Sequence, residues 1–116
     1  KEKEMAQDFR NQFQDDLPTS HNDTNSLLWT GGDFDALISI RLANVSTAQA
    51  TVDVYIRNSS VDYYLIKNAP IPVGGSLELI DSGSKIVVKN GDVLYGIASA
   101  ASAIDAVVSA VDTISE

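Results

Sequence analysis

The chain has 116 residues and a formal net charge of −8, from 16 acidic and 8 basic side chains, and it contains no cysteine. This length suits one domain with one hydrophobic core. The missing cysteines exclude disulfides and thiolate metal sites, and the acidic charge disfavours nucleic acids and anionic membranes as partners, because both are bound through Lys and Arg.

The first 24 residues are mostly polar and charged, with large apolar side chains at every fourth position: Met5, Phe9, Phe13 and Leu17. This spacing places the four side chains along one stripe of a helix, and Pro18 would end it. The pattern is compatible with a short helix over residues 3–17 and also with an extended tail whose spacing is accidental. We therefore predict an N-terminal arm and linker over residues 1–24, helical or extended, whose four apolar anchors dock on a neighbouring subunit.

From Leu27 onward, apolar and polar residues alternate, which is typical of half-buried antiparallel strands. The clearest examples are ALISIRL and ATVDVYIR, followed by VDYYLIK, SLELID, KIVVK and DVLYGIA. The alternation predicts a core built from Ile38, Ile40, Leu42, Val52, Val54, Ile56, Leu77 and Leu79.

Residues rich in Asn, Ser, Gly and Pro separate these segments at 44–47, 57–60, 70–75 and 81–84. Asn90 and Gly91 form the dipeptide preferred in two-residue hairpins. Short strands divided by regularly spaced turns predict an all-β domain over residues 25–116. We expect a single antiparallel β-sandwich, jelly-roll or immunoglobulin-like, with about 7–8 strands.

The C-terminal segment 104–114 gives two conflicting signals. Its apolar residues have helical spacing and alanines lie between them, but Val107, Val108 and Val111 are β-branched, which favours a strand. If it is a strand, a turn at residues 99–102 would return it beside residues 93–98.

Residues that could carry chemistry are few. His21 is the only histidine and lies in a polar linker, where a solvated side chain is the simplest interpretation. Asp33 and Asp35 could offer oxygens to calcium, but the further ligands of an EF-hand are absent, so a surface turn is favoured. The sequence has no nucleophile elbow and no phosphate-binding loop. We therefore predict no catalytic, cofactor-binding or metal-binding residues.

Trp29, Tyr55 and Tyr63 are predicted to point outward. Tyr55 falls on the polar side of its strand, opposite Val54 and Ile56. Exposed aromatic residues anchor protein interfaces and also stack on sugars. Exposure of all three side chains in one plane would favour sugar binding, whereas burial against another chain would favour assembly.

Three stretches carry a resemblance to a known family: IRLANVSTAQATVDVYI, YYLIKNAPIPVGGSLELI and KIVVKNGDVLYGIASAASAIDAVVSAV. Their order of strands and turns resembles short β-sandwich virion structural proteins of bacteriophages from marine and fresh water, especially phages of cyanobacteria. The resemblance covers residues 27–115. It implies a compact sandwich that ends in a Val-rich strand, and for this reason we interpret residues 104–114 as a strand.

The same resemblance implies a non-enzymatic virion structural protein, either a capsid decoration or cement protein or an accessory subunit of the neck or tail. Its partners would be other virion proteins and copies of itself, with a trimer as our guess, and no nucleic acid, membrane or cofactor. The protein would be assembled in the cytoplasm of the bacterial host. The alternative is a carbohydrate- or receptor-binding module of a tail fibre.

Overall fold

The computed structural model describes residues 8–32, 34–80 and 85–112, and these residues form β-strands joined by turns and loops. The strands are β1 (Asp8–Gln14), β2 (Leu27–Thr30), β3 (Phe34–Asn44), β4 (Ala50–Asn58), β5 (Val61–Ile71), β6 (Ser76–Glu78), β7 (Ile86–Lys89), β8 (Val93–Ala98) and β9 (Ile104–Asp112).

The strands form two antiparallel sheets. The five-stranded sheet has the order β1-β9-β3-β6, with β7 also paired to β3, and the four-stranded sheet has the order β2-β8-β4-β5. Since β9 occupies one edge of β3, the short strands β6 and β7 lie along the other edge, as two parts of one interrupted strand. Counted in this way, eight strands follow the strand order of a jelly roll. The predicted all-β sandwich is therefore confirmed.

The core lies between the two sheets and contains most of the predicted residues. Ile40, Leu42, Val52 and Val54 are fully buried, and Ile56, Leu77 and Leu79 pack against them with part of their surface exposed. The prediction for Ile38 is wrong. The register of β3 against β9 shifts between Leu37 and Ser39, so Leu37 points into the core and Ile38 does not. A bulge of this kind moves the following side chains to the other face.

Of the two conformations predicted for the N-terminal arm, helical or extended, residues 8–14 adopt the extended one. Residues 8–14 form β1, which pairs with β9 over seven consecutive residues. A spacing of four residues fits a strand as well as a helix, because residues i and i+4 share a face in both. Leu17 then enters the core with 0% exposure, so its predicted role as an exposed anchor is wrong. The functional division into residues 1–24 and 25–116 stays a prediction, and Met5 lies outside the described residues.

The C-terminal strand is present, but its predicted neighbour is wrong. β9 lies between β1 and β3, and not beside β8, which belongs to the other sheet. The connection at residues 99–103 carries the chain from one sheet to the other, with Ser102 at a φ of 56°. Residues 113 and 114 of the predicted strand lie outside the described residues.

The hairpin expected at Asn90 and Gly91 is also absent from the described strand pairs. This turn joins β7 to β8, which lie in different sheets. A two-residue hairpin occurs instead between β4 and β5, where Ser59 and Ser60 have φ values of 53° and 65°. Two consecutive positive φ angles are the signature of a type I′ turn, here built by serines and not by Asn-Gly.

Candidate functional site

The outer face of the four-stranded sheet carries a cluster of tyrosines from three neighbouring strands. Tyr55 in β4 lies opposite Tyr64 in β5 and Tyr95 in β8. The ring centroid of Tyr55 lies 5.1 Å from that of Tyr64 and 5.8 Å from that of Tyr95. These separations are typical of interacting aromatic pairs. Tyr55 and Tyr95 are buried in this cluster, whereas Tyr64 stays 45% exposed, on what the sequence pattern marks as the polar side of the strands.

The loop between β1 and β2 covers part of this cluster. Its ends are fixed to the edge of β8, since Ala98 N donates to Pro18 O and Gly96 N donates to Ser26 O, each at 2.9 Å. Within the loop, the side-chain oxygen of Asn22 accepts hydrogen bonds from the backbone amides of Thr24 and Asn25. This local turn brings His21 over the sheet, where its ring meets Tyr95 edge-on at 4.5 Å.

His21 connects a carboxylate to a tyrosine hydroxyl. Its Nε2 lies 2.7 Å from Asp23 Oδ1 and its Nδ1 lies 2.6 Å from the hydroxyl of Tyr55. In connectivity this chain resembles an acid–base–nucleophile triad. A nucleophile, however, must be accessible and easily deprotonated. Tyr55 is only 2% exposed, and burial is the main cause that raises its pKa to about 12. Tyr55 is therefore a poor nucleophile, and the Asp23–His21–Tyr55 hydrogen bonds are suited to holding the loop on the sheet.

Arg57 completes the cluster beside His21. Its guanidinium donates to both carboxylate oxygens of Asp62, at 2.6 and 3.1 Å, and lies 5.6 Å from the ring centroid of Tyr95. The hydrogen bond from Arg57 is the main cause that lowers the pKa of Asp62. Burial, first, and the nearby carboxylate of Asp23 raise the pKa of Tyr95. These shifts favour the neutral form of Tyr95 and the ionised form of Asp62.

The position of Arg57 limits the hydrogen bonds of His21. Arg57 Nη1 lies 2.9 Å from His21 Nε2 and can only donate, whereas Asp23 at 2.7 Å can only accept. A neutral His21 can therefore bond to Asp23 with Tyr55 donating to Nδ1, or accept from Arg57 with Nδ1–H donating to Tyr55. The hydroxyl of Tyr55 is satisfied in both arrangements, which keeps the loop attached to the sheet.

The outer face of the five-stranded sheet has a different character. The strand registers place one apolar row across four strands, listed from β1 to β7 as Phe9, Val111, Ala36 and Val87. A second row begins with Phe13 and Val107 and continues into Arg41 and Glu78. Strands lie about 4.8 Å apart, so the first row extends over roughly 14 Å.

Two phenylalanines dominate this face. Phe9 is 76% and Phe13 is 68% exposed, and both lie on β1, at the edge of the sheet. Next to Phe9 lies a depression that is also lined by Asn11, Ile38 and Ser109. In contrast to the tyrosine cluster, this face has no covering loop among the described residues, so its large side chains remain open to a partner.

The predicted interface residues therefore separate into two groups. Phe9, Phe13 and Tyr63, which is 58% exposed, are accessible. The prediction that Trp29 and Tyr55 point outward to solvent is wrong. Trp29 packs into the core, and Tyr55 is buried on the outer face by its neighbours. Alternation correctly placed Tyr55 on the outer side, but burial there depends on other strands, which the sequence pattern did not reveal.

Sequence reasoning also missed His21 and Arg57 as members of one cluster. His21 is half-buried and bonded, and is not the solvated linker residue that was predicted. The available signal was weak: Tyr55 and Arg57 share a strand face, but the partner strand and the loop are distant in sequence.

Of the two acidic residues considered as oxygen donors for calcium, Asp35 alone belongs to the described residues. Asp33 lies outside them. Asp35 is buried, and its Oδ2 accepts hydrogen bonds from Trp29 Nε1 at 3.0 Å and from Gly32 N at 2.9 Å. In residues 8–32, 34–80 and 85–112, no group of three or more His, Cys, Asp or Glu side chains could hold a metal ion. None of these residues forms a helix that is long and apolar enough to cross a membrane.

Comparison with known proteins adds no relative: no family model, no curated protein and no solved structure matches this chain.

Proposed function

We propose that the chain is a non-enzymatic structural subunit of a bacteriophage particle, a capsid decoration or cement protein or an accessory subunit of the neck or tail. The observation that carries this proposal is the pair of largely exposed phenylalanines, Phe9 and Phe13, on the outer face of the five-stranded sheet. Exposed apolar patches on otherwise charged proteins mark surfaces that another protein covers. The protein acts by docking this face on other virion proteins.

Two further observations support the virion assignment. The sequence resemblance over residues 27–115 points to phage structural proteins. The jelly-roll strand order occurs in viral capsid domains, and also in lectins and cupins. A shared fold is only an analogy for function, so the exposed face and the resemblance carry more weight. On this proposal the protein is assembled in the host cytoplasm and resides in the virion.

The partners follow from charge and surface chemistry. A net charge of −8 opposes binding to nucleic acids and anionic membranes, whereas an apolar face suits a protein. The triad-like arrangement through His21 ends in a buried tyrosine of raised pKa, which supports a non-enzymatic role.

The second candidate is a carbohydrate- or receptor-binding module of a tail fibre. It is favoured by a polar depression on the four-stranded sheet, lined by Thr51, Asp53 and Asn68 among others. Sugar sites also need an exposed aromatic platform. Of the three predicted aromatics only Tyr63 is exposed, whereas Trp29 and Tyr55 are buried, so the predicted platform of all three is missing and this candidate has less support.

The test is incorporation into particles. We would introduce Phe9→Ser together with Phe13→Ser into the phage that encodes the protein, and measure the protein in purified particles by quantitative mass spectrometry. Both side chains are exposed, so the fold should persist and incorporation should fall. Val73→Ser is the matched control, because Val73 is 56% exposed and lies outside this face.

Full incorporation of the double variant would refute docking through this face. Binding of the isolated wild-type protein to glycans, with the same affinity in the double variant, would favour the carbohydrate-binding alternative.

A further inference from the structure

The four edges of the two sheets differ in how well they are protected against pairing with another strand. Edge strands in proteins are usually protected by shortness, bulges, proline or charge. β2 has four residues and a register shift, and the edge formed by β6 and β7 is broken into pieces of three and four residues. β5 is long, but it contains Pro70 and Lys67 and two register shifts.

β1 has fewer of these protections, because Asp8 and Arg10 are charged but the strand is long, regular and free of proline. It pairs with β9 over seven consecutive residues without a shift, and its sequence DFRNQFQ contains no proline and no lysine. Within the described residues, β9 is the only strand that it pairs with. Its other edge therefore has no strand partner among the described residues, and the exposed side chains of Phe9 and Phe13 lie on the same strand.

The sequence of β1 is complementary to itself in one antiparallel register. Residues directly opposite each other in a sheet share a face. Phe9, Asn11 and Phe13 share the outer face of β1, so odd-numbered residues of one copy must lie opposite odd-numbered residues of the other, and the two residue numbers of each pair add to the same even sum. With a sum of 22, Asn11 lies opposite its own copy and Phe9 lies opposite Phe13 at both ends. Arg10 then faces Gln12 and Asp8 faces Gln14, so no like charges meet.

We propose that two copies of this chain pair antiparallel through β1, around a two-fold axis at Asn11. The two five-stranded sheets then become one continuous sheet, and each phenylalanine of β1 gains a cross-strand phenylalanine partner. Such a contact is isologous and closes as a dimer, so a dimer, and not the trimer guessed from the resemblance, is the basic unit. This inference rests on the proposed function, because it names one partner of the same face.

Sedimentation equilibrium of the full chain gives the first test, with an expected mass of twice 12.4 kDa. Asn11→Lys places two like charges opposite each other at the axis and should shift the protein to monomer. Asn11→Thr is the matched control, because threonine is neutral and suits a strand, and it should remain dimeric. Circular dichroism of both variants verifies that the fold is intact.

Disulfide trapping tests the register, since the chain contains no cysteine. Opposed Cα atoms in antiparallel strands lie about 4.5–5.5 Å apart, within the range that a disulfide bridges. Asn11→Cys should form a covalent dimer by itself. Arg10→Cys and Gln12→Cys should do so only when the two variants are mixed. Thr47→Cys, in an exposed loop, measures random collisions.

A monomeric wild-type protein, or cross-linking of Asn11→Cys no faster than that of Thr47→Cys, would overturn the inference. Equal cross-linking of Arg10→Cys alone and in the mixture would overturn the register. These results can be told apart from a failure of the proposed function. If the wild-type protein is a monomer but the two phenylalanine substitutions reduce its incorporation, the dimer inference fails and docking on another protein is retained. A dimer whose incorporation is unaffected by those substitutions retains the inference and refutes the docking role.

Discussion

Leu17 provides the sharpest test of whether the N-terminal segment is part of the core. Its side chain is fully buried beside Leu28, and both leucine tips lie so close to Gly96 that a Cβ there would come within 3.2 Å of them. Leu17→Ala would leave a cavity bounded by strand backbone, which cannot move easily to fill it. Buried Leu→Ala changes cost about 2.7–5.0 kcal/mol, and we expect a value in the middle of this range.

The change can be measured by urea unfolding, followed through the fluorescence of Trp29, the only tryptophan and a buried one. With a denaturant dependence of about 1–3 kcal/mol per molar urea, the midpoint should fall by roughly 1–4 M. Phe13→Ala is the control at a protein dilution where the chain is monomeric, because there the Phe13 side chain is mostly exposed and its removal should change stability by less than about 0.5 kcal/mol.

A midpoint for Leu17→Ala that is no lower than that of Phe13→Ala would refute this reasoning. It would mean that the chain after β1 contributes no packing energy and that residues 8–17 are a detachable arm. A large loss for both variants would instead show that Phe13 is covered in solution.

Three further predictions concern other parts of the fold. Gly31→Ala should destabilise the protein by about 1–3 kcal/mol in urea unfolding, because the new Cβ would lie 2.3 Å from the backbone oxygen of Lys89. Gly32→Ala is the control and should be tolerated, because the nearest atom to its new Cβ would lie 3.4 Å away. Because the pKa of Tyr55 is raised from 10.0 to about 12, the unfolded chain ionises first, so the stability that this residue contributes is complete below pH 10 and is lost as the pH rises through 12. An absorbance titration of the wild type minus that of Tyr55→Phe should show one component with a midpoint near pH 12. Truncation before Ile104 removes the strand between β1 and β3 and should give insoluble protein on expression, as judged by the fraction recovered in the pellet.

The predictable part of the fold is the part that local alternation controls. β3 and β4 expose one side to water and bury the other, so Ile40, Leu42, Val52 and Val54 could be assigned to the core from spacing alone. The failure at Ile38 has a local cause. A bulge adds one residue to β3, and its only local sign is the apolar run Ala36-Leu37-Ile38, which interrupts the alternation without showing which residue points inward.

The candidate surfaces were harder to predict because they depend on pairing between distant segments. An apolar residue at every fourth position fits both a helix and a strand. Residues 8–14 form a strand because they pair with the edge of β9. Tyr55 is buried by Tyr64 and Tyr95 from two other strands and by a loop that starts more than 30 residues earlier. These contacts exist only once the strand order is established, so no reading of a single segment could reveal them.

The two outer faces solve the same physical problem in different ways, and this difference supports the assembly role. Each carries large aromatic side chains that are stabilised by leaving water. On the four-stranded sheet the His21 loop, attached at both ends to β8, contacts the buried Tyr55 and Tyr95, whereas Tyr64 stays 45% exposed. The loop leaves the five-stranded sheet after β1 and therefore does not cover Phe9 and Phe13. Among the described residues these two side chains stay exposed, and the edge of β1 lies where a partner strand could extend the sheet beside them.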